Sequence, residues 1–137
     1  MSDQKTTDLL GDLSRWSEDE RNFHSDRQLA DRVLLATDWR CLPDPQHPAG
    51  VKWEFGTNPV HTSWEPHHPH PINSVDSALG QLPFKWRICS MKQSGADRPW
   101  EVTAIRDDAL VEGSHASLTA AISIAAVRAW QFERKAA

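Results

Sequence analysis

The stretch from Pro71 to Trp130 constrains the fold more than any other part of this chain. A capped turn, PINSVDSALGQLP, leads into FKWRICSMK; PWEVTAIRD follows, and SHASLTAAISIAAVRAW closes the run. The order is short helix, strand, strand, long helix. Asn73 or Ser74 can cap the short helix, which carries Val75, Ala78 and Leu79 and is ended by Gly80 and Pro83. Phe84, Trp86 and Ile88 alternate onto one strand face, and Lys85, Arg87 and Cys89 onto the other. Trp100, Val102 and Ala104 repeat the pattern after a hairpin loop at 93–97, with Glu101 expected to pair with Lys85 or Arg87. The last helix, capped near Ser117, is apolar on nearly every side through Leu118, Ile122, Ile124, Ala125, Val127 and Trp130. Such a helix is buried, which predicts a place between the sheet and another layer.

Upstream, Ser25-Asp26-Arg27-Gln28 reads as a capping box, and Leu29, Val33 and Ala36 follow at helical spacing. That predicts a helix from Ser25 to about Thr37. Trp39 to Leu42 and Val51 to Phe55 read as strands, and Val60 to Trp64 as the hairpin partner of the second, across the Gly56-Thr57-Asn58-Pro59 turn. Between and after them, PDPQHPAG and EPHHPHP are proline-spaced loops. Residues 1–24 form an acidic N-terminal arm in which Leu9, Leu13 and Trp16 fall on one helical stripe. This arm either folds back on its own domain or docks on a partner or second subunit. The fold class expected is α+β, with residues 25–137 as the folded domain. It would hold one antiparallel sheet of about four to five strands layered with helices and a long buried C-terminal helix.

Tryptophan occurs 7 times and tyrosine never, so a small core can be built from few, large residues. The net charge is −4, which disfavours non-specific nucleic-acid binding. The first residues lack a basic segment followed by an apolar run, so the chain reads as soluble and cytoplasmic, with Cys41 and Cys89 expected to be reduced and buried in strands. No membrane partner is expected.

The series Asn73 to Leu79, Leu82-Pro83, Trp86, Trp100-Glu101-Val102, Ser117 to Ala121 and Ala125 to Ala129 resembles small phage and prophage proteins of the phage ABA sandwich type. The likeness covers about residues 27–130 and includes a helix before the first strand that ends in a Leu-Gly-Trp-like element, here Leu34 to Trp39. It implies α, β and α layers, a phage or prophage origin and hence a bacterial host cytoplasm. It implies no reaction. The EPHHPHP loop and the acidic arm depart from the usual pattern.

For chemistry, His61, His67, His68 and His70, with Glu65, offer zinc-type donors, but their spacing fits no zinc pattern and the prolines are expected to splay them. There is no nucleophile elbow, and no glycine-rich loop enters a helix. Asp107-Asp108 reads as a turn, and His115 as a residue that orients the entry of the last helix rather than a base. No catalytic residue and no cofactor are expected, and the chain reads as a binding protein. Asp8, Asp12, Trp16, Glu18, Asp19 and Glu20 of the arm, with Trp64, His67 and His68, would meet a host or phage protein, as a counter-defence inhibitor of a host defence complex. One alternative is a sponge for a nucleotide signal, gripped by Lys85 and Arg87. Another is a metal-dependent hydrolase using the histidine loop. A homo-oligomer is compatible with either.

Overall fold

A computed structural model describes residues 3–20 and 22–136. It is α+β, with helices α1 (Asp3–Arg15), α2 (Phe23–Ala36), α3 (Val75–Leu79) and α4 (Leu118–Ala136). Two separate antiparallel sheets accompany them. One is β1 (Arg40–Pro43), β2 (Val51–Phe55) and β3 (His61–Trp64); the other is β4 (Arg87–Gln93), β5 (Trp100–Arg106) and β6 (Ala109–His115). Among the described residues no helix is long and apolar enough to cross a membrane.

The all-round apolar helix α4 organises the molecule. Ala121, Ile122 and Ala125 pack with Val102 and Ala78, on the side of the second sheet and α3. Ile124 and Val127 pack with Leu9, Leu13, Leu29, Val33 and Ile72, on the side of α1 and α2. Burying both sides removes the apolar surface that such a sequence would otherwise expose. Its small residues set the distance to the sheet. A Cβ at Gly113 of β6 would lie 2.1 Å from the Ala121 carbonyl oxygen, so only glycine allows this approach. Two polar side chains of α4 also find acceptors: Thr119 donates to the Ile72 carbonyl at 2.6 Å and the buried Ser123 to the Pro71 carbonyl at 3.3 Å.

The N-terminal arm is folded back. Leu9 and Leu13 are fully buried in the core, and Trp16 packs against the same cluster. Helix α2 begins at Phe23, not Ser25, because Asn22 is its cap: the Asn22 side chain accepts from the His24 and Ser25 amides. Its far end closes with Asp38 in the left-handed region (φ 76°) and the Trp39 amide bonded to the Leu34 carbonyl at 3.0 Å. This is a Schellman-type stop with aspartate in the glycine position, and it turns the chain directly into β1.

Four expectations are corrected. The strands number six in two sheets rather than four to five in one. The additional strand, β6, has glycine and histidine at its last two inward positions, which interrupts its apolar alternation, and it pairs with β5 around a turn in which Asp107 has φ 51°. Phe84 and Lys85 precede β4; Lys85 has φ 72°, which breaks the alternation and leaves Phe84 87% exposed. Both cysteines are exposed rather than buried. For Cys89 the register slips between Ile88 and Ser90, a bulge that re-aims the side chains. The cross-strand partner of Glu101 is Lys92, at 3.9 Å, because the register sets those two residues opposite each other.

Candidate functional site

The histidine loop between β3 and α3 was expected to be extended, but it turns sharply. The His67 amide bonds to the Trp64 carbonyl at 2.7 Å, which swings Glu65 and His68 to the same side. His68 enters the interior at 4% exposure, and its ring stacks on Trp53 with centroids 5.1 Å apart and planes 13° apart. Its Nε2 lies 2.9 Å from Asp31 of α2 and 3.9 Å from Glu65. Arg27, one turn before Asp31, bonds Asp31 from Nε at 2.9 Å and donates from Nη2 to the Pro69 carbonyl at 2.7 Å. The loop is therefore clamped to α2 by one arginine, one aspartate and one histidine.

This geometry redistributes the metal candidates. His61 and His67 are exposed, and His70 is half-buried, its Nδ1 accepting from the Asn73 amide at 3.2 Å. Burial, and then the nearby Arg27 charge, hold the His70 imidazole below its ordinary range. The donors that do converge among the described residues are Asp31, Glu65 and His68. Asp31 was absent from the sequence reading because it lies on another element, 37 residues from His68. The same Asp31 oxygen already takes bonds from Arg27 and His68, and Glu65 accepts from the Trp53 indole at 3.2 Å. A cation there would have to take His68 Nε2 from its bond to Asp31 and so undo part of the clamp. The donor set thus performs a structural task and fits a metal poorly.

Trp64 is 39% exposed, but its indole N–H donates to Asp44 at 2.8 Å and its ring stacks on His47. It ties the β1–β2 loop to β3 and leaves one ring face outward. Because His68 lies inside, the expected Trp64–His68 recognition edge reduces to Trp64 and His67.

The acidic arm divides into two parts. Asp12 is engaged by Arg15 at 2.6 Å and by Arg32 at 2.7 Å, and these guanidinium groups, Arg32 foremost, hold its carboxyl below the usual range. Asp8 accepts from Gln4 at 2.9 Å, and Trp16 donates to Asp26 at 2.8 Å. These residues bind the arm to itself and to α2. Glu18, Asp19 and Glu20 instead form a short exposed helical turn, and none of the three is in an ion pair among the described residues. Phe23, three positions after Glu20 with Arg21 and Asn22 between them in the sequence, is 80% exposed. The sequence reading missed Phe23 because it placed the helix start two residues later.

Lys85 and Arg87 do not form one grip. Lys85 sits over the exposed Phe84 ring, 5.8 Å from its centroid, beside a cleft bordered by Arg106, Trp130 and Glu133; Arg87 does not border that cleft. Glu133 accepts from the Trp86 indole at 2.6 Å and pairs with Arg106, which holds its carboxyl below the usual range. His115, as expected, serves the helix entry: its Nδ1 accepts from the Ser117 amide at 2.8 Å.

Comparison with protein-family models, with curated proteins and with solved structures found no match.

Proposed function

We propose that this protein acts by binding a basic surface of another protein, through Glu18, Asp19, Glu20 and the neighbouring Phe23. The observation that carries this reading is the run of three exposed carboxylates, none in an ion pair among the described residues, followed three positions later by an aromatic ring at 80% exposure. Aromatic anchors next to a charged rim are the usual composition of a protein-binding hot spot. A mount on the N-terminus of a packed helix limits the conformational entropy lost on docking. Trp64 and His67 would contribute a second, weaker contact on the histidine loop.

The phage origin, the α/β/α layering and the use as an inhibitor of a host defence complex in the bacterial cytoplasm belong to this proposal. They are supported by the sequence resemblance alone. The nucleotide-sponge reading through Lys85 and Arg87 has less support, since those two residues border no common cleft. The hydrolase reading has less as well, because the converging donors are engaged in the loop clamp.

Deleting residues 1–24 would strip Leu9 and Leu13 from the core, so point substitutions are the proper test. Affinity capture from a lysate of the source cells should recover a basic protein with the native chain. The triple substitution E18K/D19K/E20K and the single Phe23→Ser should each lose it, with unchanged thermal unfolding. Recovery of the same partner by all three chains would overturn the proposal.

A further inference from the structure

At the C-terminal end of α2 a cleft of about 460 Å³ opens between α2, β1 and α4. That volume lies in the range of small-molecule sites. Arg40 and Arg134 both border it, with Trp39 and Leu35 beside them. Lys5 and Asp38 also border it and offset one another in charge. Neither arginine is in an ion pair among the described residues. Arg40 donates to the Gly56 carbonyl at 2.7 Å, and Arg134 to the Ala36 carbonyl at 2.5 Å.

Each of those bonds has a structural use. Arg134 satisfies a carbonyl left open at the last turn of α2, and Arg40 steadies the β2–β3 turn. Neither bond neutralises a charge. Arg134 is held further by the Trp130 ring, 5.9 Å from its guanidinium carbon, and its Nη1 is enclosed without any acceptor. An enclosed cationic N–H without an acceptor is unfavourable, and so is a half-buried guanidinium without a counter-charge. Two such groups on one cleft, in a chain of net charge −4, make a local electropositive site that the global balance conceals. Arg40, with a single bond to Gly56, keeps guanidinium N–H groups that match the oxygens of a phosphate, Arg134 adds a second positive charge, and the indole of Trp39 and the side chain of Leu35 form an apolar flank.

We propose that this cleft binds a small organic phosphate with a flat ring, Arg40 gripping the phosphate, Arg134 adding positive charge beside it and Trp39 flanking the ring. This site is independent of the acidic protein-binding surface, so either can fail without the other.

Cys41 borders the same cleft and supplies the readout. In a Cys89→Ser background Cys41 is the only thiol. Its modification by a thiol reagent should slow about tenfold at a nucleoside monophosphate concentration ten times its Kd. Inorganic phosphate should protect more weakly, because it cannot use the ring flank. Arg40→Gln and Arg134→Gln should each abolish protection at that concentration. Arg40→Lys, which keeps the charge and loses the fork, should weaken it. If Arg134→Gln unfolds, Arg40→Gln decides the matter. Unslowed labelling at millimolar nucleoside monophosphate overturns the proposal. So does equal protection by inorganic phosphate, or equal protection in Arg40→Gln.

Discussion

The two sheets are held to the rest of the molecule by different physics. The β4–β5–β6 sheet lies flat on α4 through Val102, Ala104, Gly113 and the small residues of the helix. Its attachment is apolar, close and intolerant of added volume. The β1–β2–β3 sheet meets the helices mainly through polar and aromatic contacts. His68 stacks on Trp53, Arg27 holds the loop carbonyls, the Trp39 indole donates to Gln81 at 2.9 Å, and Phe55 meets Trp130 edge-on. Apolar packing of the first kind fixes a scaffold. A few directional clamps of the second kind hold a sheet whose faces remain partly open, and both the anion cleft and the histidine loop lie there.

The largest break in that comparison comes from Gly113→Ala. Its new Cβ would press on the Ala121 carbonyl and, at 2.8 Å, on the Ala125 amide. A loss of about 3 kcal/mol or more is expected, with unfolding of the whole chain in urea titration. A loss under about 1 kcal/mol would mean that the sheet can slide on α4, and the contrast would collapse.

A smaller and more local effect follows from His68→Ala, which removes the Trp53 stack and leaves Asp31 with Arg27 alone. A cost of about 2 kcal/mol is expected. Hydrogen exchange should quicken in β2 and β3 while β5 amides keep their protection. Equal quickening in both sheets would show that the clamps and the apolar layer form one cooperative unit.

The smallest effect concerns His70, whose imidazole is held below its ordinary range by burial and by Arg27, against the opposing pull of Asp31 and Asp26. The unfolded chain binds this proton more readily than the folded one, so the contribution is complete above the ordinary imidazole range. It is lost as pH falls through that range toward the folded value. Urea midpoints measured from pH 7 down to pH 5 should fall less steeply in His70→Asn, which keeps an acceptor for the Asn73 amide. Equal slopes would remove His70 from the account.

Much of the scaffold was readable from residue order. The all-round apolar pattern of 118–130 implied a helix buried on two sides, and α4 is one. The stripe of Leu9, Leu13 and Trp16 implied a packed face, and the core contains it. Strand β6 was hidden because Gly113 occupies an inward position where a pattern search expects an apolar side chain. Phe84 was misplaced because nothing local signals a left-handed lysine after it. Arg27 was read only as part of a capping box, and Asp31 carried no local signal at all. Their meeting with a loop 37 to 42 residues away is a tertiary event.

The sequence by itself determined the α+β class, the buried final helix and the β2–β3 and β4–β5 hairpins, because periodicity and caps are local properties. Only the tertiary structure decided that there are two sheets, that the histidines are split between surface and clamp, and that Arg40 and Arg134 border one cleft. Those facts depend on which distant side chains meet, and meeting is governed by the volume, charge and hydrogen bonds of both partners together.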